Sequence, residues 1–215
     1  MIMNRKLLLM LLLFIACLTQ VTAQADYYYY NGKKIPLTLN ENKVCISMPK
    51  SIEDMCERIL ANVQVLNTIK DDTFYIVVIS LSDFEKLASL DFWEEYSRSV
   101  ILTSSYFTEE GREVFSTPYL TVRLKRSQDI DLLTTYAEKY RLRIVGNSQF
   151  LPLWYILNVS PESGKSPLEC ANEMYESGDF SSSVPDLAGS HLDHETAVRS
   201  ATAEPAKTAM GIYDL

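Results

Sequence analysis

The chain has 215 residues, and its hydrophobic fraction of 47% and charged fraction of 22% are those of an ordinary globular protein. A net charge of −8 argues against nucleic-acid binding, which needs a basic surface to displace counterions from phosphate. Seven glycines and two histidines are few for hydrolases and nucleotide-binding proteins, which place Gly-rich turns beside their chemistry. We therefore expect a folded accessory protein without an active site.

The first 23 residues have the features of an export signal. Arg5 and Lys6 precede an apolar run from Leu7 to Ala16, and small residues follow up to Ala23. An apolar run this short does not cross a hydrocarbon core of roughly 30 Å as a helix. It predicts a cleaved signal peptide, with cleavage after Ala23 as first choice and after Ala25 as second. The protein is then exported, whether periplasmic, secreted or at the cell surface.

A lipid anchor is the alternative at this end of the chain. Ile15, Ala16 and Cys17 are similar to a bacterial lipobox, in which Cys17 carries the lipid, although Phe14 stands where that motif usually has Leu. Only this lipidated form is expected at a membrane.

Three cysteines follow the signal, at positions 45, 56 and 170. Export permits a disulfide, but no pair has the spacing of a metal site or a CxxC motif. Buried free thiols are the default prediction, and a bridge between Cys45 and Cys56 is the less favoured alternative.

Hydrophobic periodicity predicts an α+β fold in two parts. Residues 24–117 form a smaller α/β module that begins with a Tyr-rich hairpin, because Tyr27 to Tyr30 precede the Asn31-Gly32 pair favoured in type I′ turns. The module continues with predicted strands over 43–48, 73–81 and 100–106, a helix over 51–62 with Ser51 as N-cap, and a helix over 82–96 begun by Ser82 or Asp83.

The second part, residues 118–188, has the strand and helix order of a ferredoxin-like domain. Ser166, Pro167 and Glu169 indicate a helix start with a capping box, and Gly178 indicates its end. Strands are predicted over 119–125, 142–145, 153–159 and 180–184, with a first helix over 129–140. The order β-α-β-β-α-β is the split βαβ pattern. Residues 189–215 have too few large apolar residues to form a core and are predicted to be a disordered tail.

The sequence contains no recognisable catalytic, metal-binding or cofactor-binding site. Both histidines, His191 and His194, lie in the predicted tail, where preorganised metal ligands are not expected. Without a histidine in either folded part, no Ser-His-Asp or Cys-His relay can form there. Adjacent carboxylates are expected to be solvated surface rather than catalytic dyads. These pairs are Asp71-Asp72, Glu94-Glu95 and Glu109-Glu110.

Basic residues are concentrated in the second part, at Arg123, Lys125, Arg126, Arg141 and Arg143. They are expected to line the outer face of a sheet or to pair with the acidic first part. A further alternative is that they meet an acidic partner surface.

The second part resembles the N-terminal propeptides of subtilisin-like serine proteases, over about residues 118–188. The most specific stretch runs from Ala171 to Phe180 and is followed by Val184-Pro185-Asp186-Leu187, although Val184 stands where the family commonly has Glu. The more generic segments that share the resemblance are 121–125, 140–146 and 154–159. Residues 27–116 look like the segment that precedes such propeptides in some large exported bacterial subtilases.

The resemblance implies binding to a subtilisin-like serine protease without catalysis by this chain. Such propeptides lay their sheet on surface helices of the protease and pass an extended segment into its substrate cleft, where it pairs by β-augmentation. They also act as intramolecular chaperones. Here the extended segment would be residues 181–188, and the alternative for it is an edge strand that ends the fold. The expected contact residues are Phe180, Val184, Pro185, Asp186, Leu187 and Ala188.

The family continues into a Gly-rich catalytic domain with Asp, His and Ser motifs that this chain lacks, so we do not expect an enzyme. One interpretation is a dedicated inhibitor acting in trans, and another is a truncated remnant without a present partner. A third, without any link to proteases, is an exported adhesion or ligand-binding module that uses Tyr28 and Tyr30.

Overall fold

The computed structural model describes residues 26–70, 74–147 and 151–189. Every strand pairing among these residues is antiparallel, and five helices accompany the strands. The predicted α+β class is therefore confirmed. The predicted signal peptide, Cys17 and the predicted tail with His191 and His194 lie outside the described residues.

The strands are β1 (Asp26–Tyr30), β2 (Lys33–Pro49), β3 (Val65–Lys70), β4 (Phe74–Ser80), β5 (Ile101–Phe107), β6 (Glu113–Arg123), β7 (Leu142–Asn147), β8 (Trp154–Val159) and β9 (Ser182–Gly189). The helices are α1 (Glu53–Asn62), α2 (Leu81–Ala88), α3 (Asp91–Tyr96), α4 (Ile130–Tyr140) and α5 (Pro167–Glu176).

The first half of the molecule consists of β2 to β5 with α1, α2 and α3. Its strands lie in the order β3-β4-β2-β5, so that the first strand of the half is central and its second strand is at the edge. All three helices pack on one face of this sheet, where Met55, Ile59, Leu87 and Trp93 meet strand residues such as Ile46 in a buried cluster. Burial of this apolar surface stabilises the half.

The second half consists of β6 to β9 with α4 and α5, and it repeats the arrangement of the first. Its strands lie in the order β7-β8-β6-β9, again with the first strand central and the second at the edge. Leu133 and Ala137 of α4 and Met174 of α5 pack with Leu120 and Leu157 on one sheet face. Apart from the additional helix α3 of the first half, the two consecutive halves thus share one order of elements and one order of strands.

The two halves are joined through β6. On one side β6 pairs with β9 along most of its length, and on the other it pairs first with β5 and then with β8. The pairing of β6 with β9 shifts register between Ser116 and Leu120, and Pro118, which has no N–H to donate, lies in that interval. The predicted boundary between residues 117 and 118 therefore lies inside a strand that both halves of one continuous sheet share.

Several predicted boundaries in the first half are wrong. Ser51 does not cap α1, because Ile52 occupies the N-cap after a turn of 3₁₀ helix. The single helix predicted over 82–96 is two helices, and Ser80 caps the first by accepting the Asp83 N–H at 3.1 Å. Strand β3 was not predicted, and β6 begins six residues before its predicted start at 119.

Candidate interaction surface

The segment predicted to contact a protease is strand β9 of the sheet, preceded by Phe180. Phe180 is 3% exposed and packs edge-on against Tyr136 of α4. Val184 and Ala188 are 7% and 2% exposed, and Pro185 is buried as well. All four side chains are buried, and the pairing of Val184 with Thr121 places Val184 on the sheet face of Ile156, opposite the helices. In this arrangement a partner does not reach the other three side chains without rearrangement of this segment.

Asp186 and Leu187 are the two predicted contact residues that remain partly exposed. The Thr117 hydroxyl donates a hydrogen bond of 2.7 Å to Asp186 Oδ2. Leu187 packs against a small buried cluster of Leu37, Tyr106 and Leu168. Along its backbone, β9 pairs with β6 alone within the described part of the chain. Any contact through this segment would therefore use main-chain groups more than side chains.

The outer sheet face of the second half, opposite α4 and α5, presents a half-exposed apolar surface with basic residues. Directly opposed residues of an antiparallel pair point to the same face, so the pairing of Arg123 with Trp154 places both here. The Arg123 guanidinium carbon lies 5.7 Å from the centroid of the Trp154 ring. Ile156 and the exposed Arg143 lie on the same face. We call Arg123, Arg143, Trp154 and Ile156 the outer sheet face.

This surface could be anticipated only in part from the sequence. Arg123 and Arg143 were expected on the outer face of a sheet, and the structure places both there. Trp154 and Ile156 were not predicted as site residues. The signal that could have found them is the period-two pattern of residues 154–159, which assigns them to the face opposite Leu157.

The Tyr-rich hairpin packs on the molecule's own surface. Asn31 and Gly32 have φ of 49° and 75°, as a type I′ turn requires, so the predicted hairpin is confirmed. The Tyr29 ring stacks on Tyr175 of α5 with centroids 4.2 Å apart. Tyr28 packs against the cluster that contains Leu168. The Tyr28 and Tyr29 side chains are thus engaged within the chain rather than presented as a stacking platform.

The candidate metal ligands and the acidic pairs of the sequence can be located only among the described residues. No cluster of three His, Cys, Asp or Glu side chains that could hold a metal occurs among them. Glu94, Glu95, Glu109 and Glu110 are exposed, and the Asp71-Asp72 pair lies outside the described residues. No described helix is long and apolar enough to span a membrane.

Cys45, Cys56 and Cys170 are buried, and no disulfide joins them. Cys45 and Cys56 lie in clusters on opposite faces of the first sheet, so the alternative bridge between them does not form. Burial raises the pKa of Cys45 to about 12 and that of Cys170 to about 11. Both thiols therefore stay protonated at neutral pH and are poor nucleophiles.

A cavity of about 590 Å³ lies between the two halves, beside the start of β5 and the turn before α5. Its lining includes Arg98, Leu102, Pro161 and Lys165. Glu173 accepts a hydrogen bond from Lys165, and the first turn of α5 is satisfied by its own capping box. Lys165 and the Ser166 N–H, both in the lining, are therefore already paired within the chain.

No family model matches the chain, and no curated protein matches it. Among solved structures, an aspartate kinase from Clostridium acetobutylicum, an allosteric enzyme, aligns with 63% of this chain at 14% identity and a TM-score of 0.25. The chain covers 32% of that kinase. A putative glycine cleavage system transcriptional repressor aligns with 68% of the chain at 9% identity and a TM-score of 0.24, and 96% of it is covered. At such TM-scores neither likeness bears on fold or function.

Proposed function

We propose that the second half is a ferredoxin-like propeptide domain, and that the chain is a non-catalytic partner of a subtilisin-like serine protease that acts as chaperone and inhibitor. The proposal rests on the resemblance of residues 118–188 to subtilase propeptides. The observation that supports it best is the strand order β7-β8-β6-β9 with both helices on one face. This layout leaves the outer sheet face available to a partner, as the propeptide mode of binding requires.

The composition of the outer sheet face suits a protein partner. Trp154 and Ile156 offer half-exposed apolar area, and aromatic side chains next to Arg are enriched in the centres of protein interfaces. Arg123 and Arg143 add positive charge on a chain of net charge −8, which favours a partner surface with complementary acidic groups.

Under the proposal, fewer side chains of β9 contact the protease than the sequence analysis expected. The side chains of Phe180, Val184, Pro185 and Ala188 are buried, so the proposal gives them no direct contact with the protease. Under the proposal, a protease strand would add to the edge of β9 through main-chain hydrogen bonds, with Asp186 and Leu187 as the nearest side chains.

The test is inhibition of a panel of subtilisins by the purified chain. We expect inhibition at micromolar concentrations of at least one protease, with Arg143→Glu weakening it about tenfold, which corresponds to about 1.4 kcal/mol. The matched control is Arg98→Glu, which makes the same charge change at an exposed site of the first half and should leave inhibition unaltered. Absence of inhibition across the panel, or equal effects of the two variants, contradicts the proposal.

A further inference from the structure

The hairpin of β1 and β2 belongs to the first half by backbone pairing. β1 pairs with residues 33–37 of β2, and β2 then continues into the first sheet, where Val44 to Ser47 lie between β4 and β5. The position of the hairpin is therefore fixed by the first half.

The side chains of β1 nevertheless contact the second half. The Tyr27 and Tyr29 hydroxyls donate hydrogen bonds of 2.7 and 3.1 Å to Glu176 Oε1, near the end of α5. Asn172 Nδ2 donates to the Tyr27 carbonyl oxygen at 2.7 Å, and Tyr29 stacks on Tyr175. We call Tyr27, Tyr29, Asn172, Tyr175 and Glu176 the clasp.

The clasp is one of several contacts between the two halves, which also pair directly through β5 and β6. The covalent link is the turn between β5 and β6, in which the Gly111 N–H donates to the Thr108 carbonyl at 2.9 Å. Between the clasp and this link lies a buried cluster with Leu37 and Tyr106 from the first half and Leu168 from the second. Separation of the halves therefore requires loss of the clasp and exposure of this cluster, together with loss of the β5–β6 pairing and of the packing of Phe115 on the first half.

We propose that the clasp couples the two halves so that they unfold as one cooperative unit, by holding α5 against a hairpin anchored in the first sheet. α5 packs on β6 and β9, so its position also fixes the last strand. This inference is independent of any protease partner, and its test uses the isolated chain.

The chain carries a natural reporter in each half. Its two tryptophans are Trp93 in α3 and Trp154 in β8. Replacing one at a time by Phe gives two single-tryptophan proteins, whose fluorescence follows the first and the second half separately. Urea unfolding of the full chain in both backgrounds should give coincident midpoints, the signature of one transition.

The clasp variant combines Tyr29→Ala with Glu176→Gln, which removes the ring stack and weakens the shared acceptor. We expect the two midpoints to separate by at least about 0.5 M urea, a shift that denaturant curves resolve. The matched control is Tyr30→Ala, since no hydrogen bond or ring contact from Tyr30 to α5 is seen within the described residues. It should leave the midpoints coincident.

A milder variant tests the proposal if the clasp variant does not fold. Tyr27→Phe with Tyr29→Phe keeps both rings and removes only the two hydroxyl donors to Glu176. We expect the α5 amides to exchange with solvent at least about threefold faster in this variant, because local opening becomes easier. Midpoints that already differ in the unmodified chain, midpoints that stay coincident in the folded clasp variant, or unchanged α5 exchange would each overturn the proposal.

Discussion

At the scale of single residues, the Glu113 carboxylate joins polar groups of three strands. It accepts hydrogen bonds from Asn40, Lys43 and Ser105, with Lys43 Nζ at 2.7 Å. These donors come from β2 and β5 while Glu113 begins β6, and the register of β2 against β5 shifts between Leu39 and Val44. One carboxylate thus satisfies polar groups at the irregular point where three strands meet.

The Glu113 carboxylate should make stability depend on pH in the acid range. Burial raises its pKa, but the hydrogen bonds from Lys43, Ser105 and Asn40 outweigh burial and hold the pKa below its usual 4.5. A folded-state pKa below the unfolded value gives stability that is present above pH 4.5 and is lost as the pH falls through the folded-state pKa.

We expect Glu113→Gln to lower the free energy of unfolding by about 1.5–3 kcal/mol at neutral pH, the range for hydrogen bonds to a charged group. The difference from the unmodified chain should shrink as the pH falls below 4.5. Urea unfolding at a series of pH values measures it, with Glu109→Gln at an exposed position as control. A difference that stays constant down to acid pH contradicts the assignment.

At the scale of elements, the starts of two helices show that a serine at the expected position does not always cap the helix. Ser166 accepts the Glu169 N–H at 3.2 Å, and Glu169 accepts the Ser166 N–H at 2.7 Å, so the predicted capping box is confirmed. Ser51 was predicted to cap α1 on the same residue preference and does not. The second case lacks the reciprocal Glu and the Pro that complete the first.

This contrast predicts unequal effects of two chemically identical substitutions. Ser166→Ala should lower the free energy of unfolding by about 1 kcal/mol, because an N–H of the first turn of α5 loses its acceptor. Ser51→Ala should change it by less than about 0.5 kcal/mol. Denaturant unfolding of both variants makes the comparison, and equal losses would refute the different roles assigned to the two serines.

The elements that were predicted well are those with strong local signals. The type I′ turn at Asn31-Gly32 and the capping box at Ser166 depend on the residues themselves. Strand β3, the segment 65–70, was not predicted because it is an edge strand in which no side chain is fully buried. Within the described residues it pairs with β4 alone. Because β3 was not predicted, the sequence analysis did not find that the two halves share their order of strands.

At the scale of the whole molecule, the two halves differ in how exposed the sheet face opposite their helices is. In the first half, Cys45, Ile76 and Val78 on the face opposite the helices form a buried cluster with Phe115 of β6, and Tyr119 packs against it. In the second half, the corresponding face carries the half-exposed Trp154 and Ile156. The first half buries this face through the packing of β6 residues that are distant in sequence, and no local sequence pattern indicates such packing. The half-exposed face that could meet a partner is therefore the one in the second half.

Because both halves pair with β6, a stable fragment of the second half must include the start of this strand. A fragment of residues 118–188 follows the sequence-based boundary but removes the pairs of Val114 with Gly189, Phe115 with Ala188 and Ser116 with Leu187. A fragment of residues 112–189 keeps all three. Cross-strand pairs contribute roughly 0.2–1 kcal/mol each, so the longer fragment should be more stable by about 1–2 kcal/mol.

Thermal and urea unfolding of the two fragments, followed by Trp154 fluorescence, measures this difference. Lengthening the short fragment only at its start, to 112–188, provides the matched control, since it regains every pair except that of Val114 with Gly189. Its stability should therefore lie close to that of 112–189. A fragment 118–188 as stable as the other two would mean that the second sheet is complete without the start of β6, and that the boundary drawn from sequence is the physical one.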